Sequence, residues 1–187
     1  MDLSSNFRML ALYNQRMNQQ LLSVCEQLSP QRLNQETHSF FPSVMAHWNH
    51  ILFGDLIMLQ RLVTNQIHVL EPQQVETLPT AKAINDTFVT NLEELKRLRS
   101  LVDQIYIDMT KNFTADTCKE IVVYTTTEGG EMRRNVGEFC QHIFNHQTHH
   151  RGQLTAILAQ LGCDFGCTDL PVIVPEGSSA LAKPTMP

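Results

Sequence analysis

Apolar side chains recur at alternating steps of three and four across residues 3–28: Phe7, Leu10, Met17, Leu21, Val24 and Leu28, with Asn14 as the one polar member of the row. Steps of three and four bracket the 3.6-residue turn, so the row is the seam of a helix packed against other helices. Asn14 either lines a cavity or fixes register with a neighbouring helix. The same spacing returns in a segment of about 81–110, through Ile84, Phe88, Asn91, Leu95, Leu98, Val102, Ile105 and Met109. Two further amphipathic segments, about 42–63 and 135–161, bring the number to four, the last closed by Gly162. Ser29-Pro30 marks a stop and restart, with serine as cap and proline at a first helical position. Four long amphipathic segments joined by short and long connections predict an all-α four-helix bundle.

The period breaks in two places. Asn65, Pro72 and Pro79 interrupt residues 64–80, which read as a long connection. Ile121 to Thr127 is rich in β-formers, Glu128-Gly129-Gly130 is a turn, and Glu131 to Arg134 returns, so a small β-hairpin is expected before the last helix. The bundle domain is placed at 1–175, followed by a small-residue tail, 176–187, expected to be disordered.

The segment at 42–63 is apolar on two sides. Met45, Trp48, Leu52, Leu56, Leu59 and Val63 make one stripe; Ala46, His50, Phe53, Gly54 and Ile57 make another, roughly opposite. A helix apolar on both sides must be covered twice, and a second copy of the chain is the economical cover, which predicts a homodimer. The small residues Ala46 and Gly54 leave room for a ligand cavity beside His50.

Four of the eight histidines fall between His142 and His150. His146 and His150 are one turn apart on one helical face. Phe139, Ile143, Leu154, Ile157 and Leu161 lie within roughly 40° of His150 on the wheel, so the pair points into the core, while His142 and His149 project about 80–100° away. A lone histidine on such a face is commonly a hydrogen-bonded core residue. Two imidazoles buried side by side are costly to desolvate and repel when protonated, and a shared cation removes that conflict. His50, from the second helix, is the third candidate ligand, with His47 as the fallback.

Three neutral imidazoles make an open site that keeps a position for water, substrate or a thiolate, as catalytic sites do. Zinc is the first choice on availability, and nickel, iron, manganese and copper suit the same donors. A zinc peptidase would carry a glutamate after its first histidine ligand; here Gln147 follows His146. Glu138 and Asp55 sit roughly 120° and 140° from the histidines on their helices, which removes the obvious base and disfavours peptidase-like hydrolysis. Activation of a low-molecular-weight thiol by the metal needs no such base.

Composition excludes other classes. A net charge of −5 with no lysine or arginine block lacks the electrostatic footprint of a nucleic-acid binder. No apolar run reaches membrane-spanning length, and Asp2, Asn6 and Arg8 break any signal-peptide pattern, so a cytoplasmic location is expected. Five scattered cysteines fit reduced thiols. Cys163 and Cys167 have no second ligand pair nearby, and Cys140 reads as packing.

Several stretches together resemble one family: Ala11-Leu12-Tyr13-Asn14 with Asn18, Asn49-His50-Ile51-Leu52 with Asp55, the Thr-Thr-Thr-Glu-Gly-Gly hairpin, and above all Asn145-His146-Gln147-Thr148-His149-His150-Arg151-Gly152-Gln153. The chain resembles the DinB family of helical metal-binding proteins, unrelated to the DNA polymerase of the same label, over about residues 1–170. The resemblance implies an up-down-down-up bundle, often dimeric, with a divalent metal on His50, His146 and His150. Some relatives transfer or isomerise substrates with a small thiol at the metal. Arg16, Met17 and Met58 depart from the family's usual residues and would reshape the cavity. The expectation is a metal-dependent enzyme that activates a small thiol or water towards a small electrophile, of thiol S-transferase or hydrolase type, the alternative being a metal-binding protein without turnover. Gln153 and Asn14 are candidates for contacts behind the ligands or to substrate; Arg151 is expected in an edge salt bridge and Gly152 at a close helix approach.

Overall fold

The computed structural model describes residues 2–173. The four long helices are α1 (Leu3–Cys25), α3 (Val44–Thr64), α5 (Leu92–Lys111) and α6 (Val136–Gln160). Short helices α2 (Pro30–Leu33), α4 (Pro72–Glu76) and α7 (Leu170–Ile173) lie in the connections and at the end of the described chain. Each long helix starts where a short polar side chain takes an otherwise unpaired backbone N–H. Asp2, Ser43, Asn91 and Asn135 accept from Ser5, Ala46, Glu94 and Glu138 respectively. At Asn135 the Glu138 carboxylate reaches back to the Asn135 N–H, completing a capping box. Ser29 caps α2 with Pro30 in its first turn, as the sequence predicts.

Contacts along the helices give their directions. The start of α1 meets the end of α5, where Arg8 donates to the Lys111 carbonyl, and its end meets the start of α5 through Glu26 and Lys96. These two helices are antiparallel. On α3 and α6, His50 faces His150 while Gly54 faces His146, again antiparallel. Phe7 stacks on Phe144 and Tyr13 lies under Arg151, so α1 and α6 run together. The topology is therefore up-down-down-up. The centre is filled by Trp48, Phe7, Phe139, Met17, Leu21 and Leu56, all essentially inaccessible.

The hairpin pairs β1 (Ile121–Thr125) with β2 (Glu131–Asn135), Tyr124 opposite Met132, around a turn in which Gly129 has φ 91°. Asn65 at the end of α3 brackets Val123 from both sides, donating to its carbonyl and accepting its N–H, which fixes the hairpin against that helix.

One helix boundary differs from the sequence expectation. The helix expected from 81 begins at Leu92, because Asn91 is its cap rather than a seam residue, and Ile84 is half exposed. Residues 81–89 run across α3 instead. The Asn49 side chain accepts from the N–H groups of Phe88 and Val89 and donates to the Val89 carbonyl, so a side chain supplies the partners a helix would have supplied. The connection after α3 also contains a turn of helix, α4. On the second apolar side of α3, His50, Phe53 and Gly54 are buried within the chain and Ala46 and Ile57 half-buried. The tail expected at 176–187 lies outside the described residues.

Candidate metal centre

Antiparallel packing of α3 on α6 brings three imidazoles together. The ring centroids of His50 and His150 are 4.2 Å apart, those of His146 and His150 4.3 Å, and those of His50 and His146 5.2 Å. One ring nitrogen from each lies within 4.8 Å of the others. The Nε2 atoms of His50 and His150 approach to 3.0 Å. Two ligands at tetrahedral angles on a zinc ion, each at about 2.0–2.1 Å, would stand about 3.3 Å apart, so this pair needs almost no rearrangement.

The third ring depends on a missing side chain. His146 lies over the backbone of Gly54, where a Cβ would stand 2.3 Å from its Cε1 and 2.7 Å from its Nδ1. Gly54 is thus the close helix approach. Gly152, expected in that role, is exposed, and a Cβ added there would meet nothing within 4 Å.

Hydrogen bonds select the ring nitrogen that faces inward. Nδ1 of His150 is 2.8 Å from Gln153 Oε1, and since that oxygen only accepts, Nδ1 carries the proton and Nε2 keeps its lone pair. The Gln153 amide is held in this orientation by donating to His149 Nε2, at 3.2 Å. His149 therefore acts behind the ligand rather than as one. The His50 ring is buried, with a backbone group of Ile84 beside it and its Nε2 turned to the His150 imidazole. His47, the fallback, donates from Nδ1 to the Ser43 carbonyl and stays outside the group.

Burial pushes the His146 imidazole down to about 3 and His50 down to about 4, with the neighbouring histidines adding to the effect. His150 is lowered for the same first reason, opposed by its bond to Gln153. At neutral pH all three are uncharged, the form that ligates a cation. Phe41 closes one side of the cluster, stacked on His50 at 3.9 Å and edge-on to His150. On the other side opens a cavity of about 430 Å³, lined by His50, His146, Phe53, Ile57, Arg61, Tyr124 and Arg134 among others. Glu138 also reaches this lining, although its carboxylate is engaged by the Asn135 N–H.

Behind the histidines runs a buried polar network. Asp55 accepts from Arg99 and Gln147, Gln147 accepts from Arg151, Arg99 also pairs with Asp103, and Asp103 accepts from Asn18. All four long helices contribute. Burial pushes the two carboxyls up, and the guanidinium between them opposes it; Arg99 is held cationic by both. Arg151 does not make the edge salt bridge that the sequence predicts. It is buried instead, stacked 5.3 Å over Tyr13 and bonded to Gln147. Asn14 is buried away from the cavity lining, and Cys163 and Cys167 are not part of the histidine group.

Sequence reasoning missed Phe41, Gln147, Arg99 and Asp103. For Arg99 a signal existed: it lies on the row Leu95, Arg99, Val102 and Tyr106, four and three residues apart on the inward face of α5.

A bundle in which α3 supplies one histidine and α6 two, beside a hairpin wall, can be compared with known proteins. Protein DinB of Bacillus subtilis (strain 168) is 26% identical over 158 residues, spanning 84% of this chain and 87% of that protein. The DinB family matches residues 2–174, which takes in all four long helices, the hairpin and all three histidines. This chain belongs to the DinB family.

Proposed function

We propose that His50, His146 and His150 hold a divalent metal ion, with zinc the first choice on availability, and that the protein is a metal-dependent enzyme of thiol S-transferase type. The observation that carries the reading is the convergence of three neutral imidazole nitrogens within 4.8 Å at the edge of a cavity. A divalent cation on three neutral imidazoles keeps a position open and lowers the pKa of a thiol or water placed there, without a carboxylate base.

The chain's own residues do the rest. Gln153 holds His150 in the tautomer that turns Nε2 inward, Gly54 admits His146, and Phe41 shields one side of the cluster from water. The cavity on the other side admits a small electrophile. The rival reading, a bound metal without turnover, calls for a fourth protein ligand; among the described residues the group contains three. A homodimer remains part of the proposal on the family resemblance and a cytoplasmic location on the sequence reading; no helix among the described residues is long and apolar enough to cross a membrane.

The test is metal content. Wild-type protein should take up one zinc per chain, and His146→Ala should lose stoichiometric binding. Zinc in excess should raise the melting temperature: at 100 times Kd the gain is about 2.7 kcal/mol, or roughly 5–10 °C for a chain of this size. Conjugation of small thiols to a test electrophile should depend on the metal. Retained stoichiometric zinc in His146→Ala would refute the ligand set, and thiol conjugation unaffected by chelation would refute the enzyme reading.

A further inference from the structure

We propose that Arg61 and Arg134 form an anion-recognition site in the wall of the cavity beside the three histidines, and that the substrate is a small molecule with an apolar body and a carboxylate end. The position of its reactive end rests on the proposed metal centre; the anion site itself does not.

Both guanidinium groups face one cavity, Arg61 from α3 and Arg134 from β2. Neither forms an ion pair among the described residues. Arg61 is half-buried, stacked 4.2 Å over the Tyr124 ring. One of its N–H groups goes to the Thr125 carbonyl at 2.8 Å, and another has only the Met58 thioether at 3.7 Å, a weak acceptor. A guanidinium carries five N–H donors, so most of this fork is available to a bidentate acceptor. Arg134 donates to the Arg133 carbonyl and has the rest of its fork free for the same cavity.

A structural role alone, pinning the hairpin to α3, explains the Thr125 bond and the Tyr124 stacking. It does not explain two unpaired cations on one wall. Phe53, Ile57, Met58, Met132 and Phe139, also in the lining, are apolar and suit a hydrocarbon body. Glu138 is the one carboxylate in the lining; one of its oxygens accepts from the Asn135 N–H at 3.4 Å, and it forms no ion pair with either arginine. Arg61 follows Gly54, the seat of His146, by seven residues, about 10 Å along the helix axis. A short molecule held by its carboxylate at Arg61 therefore extends toward the histidines.

The experiment titrates metal-free protein with 4-phenylbutyrate and with 4-phenylbutyramide, which share a body and differ in charge. Without metal, Arg61 and Arg134 are the Lys and Arg side chains in the cavity lining. The acid should bind at least about tenfold more tightly than the amide, as charge-assisted bonds to a carboxylate allow. Arg61→Gln and Arg134→Gln should each reduce that ratio, and the double variant should bring it within about twofold while leaving amide binding in place. Should Arg61→Gln fail to fold, Arg134→Gln carries the test, since its side chain is exposed and bonds only a neighbouring carbonyl. Equal binding of acid and amide, no binding of either, or an acid preference undiminished in the arginine variants would overturn the proposal. Zinc uptake measured on the same samples separates the two readings. Acid preference in a protein that takes up no zinc leaves the anion site standing and removes the metal centre; zinc uptake without acid preference does the reverse.

Discussion

Gly54→Ala is the sharpest perturbation of the centre, because it touches no ligand and adds one methyl group. The new Cβ would stand 2.3 Å from His146 Cε1, 2.7 Å from Nδ1 and 3.2 Å from Nε2. Carbon atoms settle at about 3.5–4.0 Å, so the ring must retreat from α3 by more than about 1 Å. Coordination distances tolerate only about 0.2 Å, and the retreat carries the His146 nitrogen away from His50, which stays on α3. Overpacking of this kind costs about 1–3 kcal/mol, while alanine in a helix gains about 1 kcal/mol over glycine, so the metal-free protein should lose about 0–2 kcal/mol. Zinc affinity should fall far more, by at least about 100-fold, beyond what a lost supporting contact costs. Competition against a chromophoric chelator measures the affinity and urea unfolding the stability. Gly152→Ala is the control: with open space around it, it should stabilise the helix by up to about 1 kcal/mol and leave zinc binding unchanged. Gly54→Ala binding zinc within about threefold of wild type would show that the ring's seat does not set the site.

Two further outcomes follow from the buried charges and rings. Metal-free protein should lose stability on acidification from pH 7 to 5, because the His146 imidazole is held down at about 3 in the fold and titrates near 6.5 when unfolded. The unfolded chain then binds the proton and the native one does not, so stability is intact above about 6.5 and falls through the window toward 3; at pH 5 the loss from this group is about 2 kcal/mol. Urea midpoints that do not change between pH 7 and 5 would contradict the half-buried neutral ring. Arg99→Met should destabilise by about 3–5 kcal/mol, since it leaves Asp55 and Asp103 buried without their shared cation, and an effect below about 1 kcal/mol would mean the network is not closed to water.

The bundle was legible because its signals are local. Seam spacing gave the four long helices, and Ser29-Pro30 and Gly162 marked boundaries where the structure has them. The start of α5 was not legible, because Asn49, far away in the chain, binds residues 88 and 89 and holds them extended. On α6 the apolar wheel found the face toward α3 but misjudged its breadth. Gln147 and Arg151 are as buried as any apolar neighbour, yet a wheel that counts only apolar residues discards them. Their partners sit on other helices, so only tertiary packing reveals them. Gly54 stood out in the sequence only as a small residue leaving room beside His50; that it seats the His146 ring, and that Gly152 meets nothing, depends on the facing helix.

Gln147 and Arg151 each follow a histidine by one residue, about 100° round α6. Gln147 is tied to Asp55 on α3, and Arg151 is tied to Gln147 and rests on Tyr13 of α1. Turning α6 about its axis by one residue in one sense would carry the histidines toward the buried Asp55 and Arg99; in the other sense it would bring Gln147 to the histidines' place beside the cavity. Both moves leave buried polar groups without partners, at about 1–3 kcal/mol for each neutral group and more for each charge. An apolar core in the same place would tolerate that rotation, since one methyl replaces another at little cost. The ionic network therefore contributes less through net stability, which desolvation erodes, than through fixing which side of α6 faces α3. That rotational setting is what points His146 and His150 at His50.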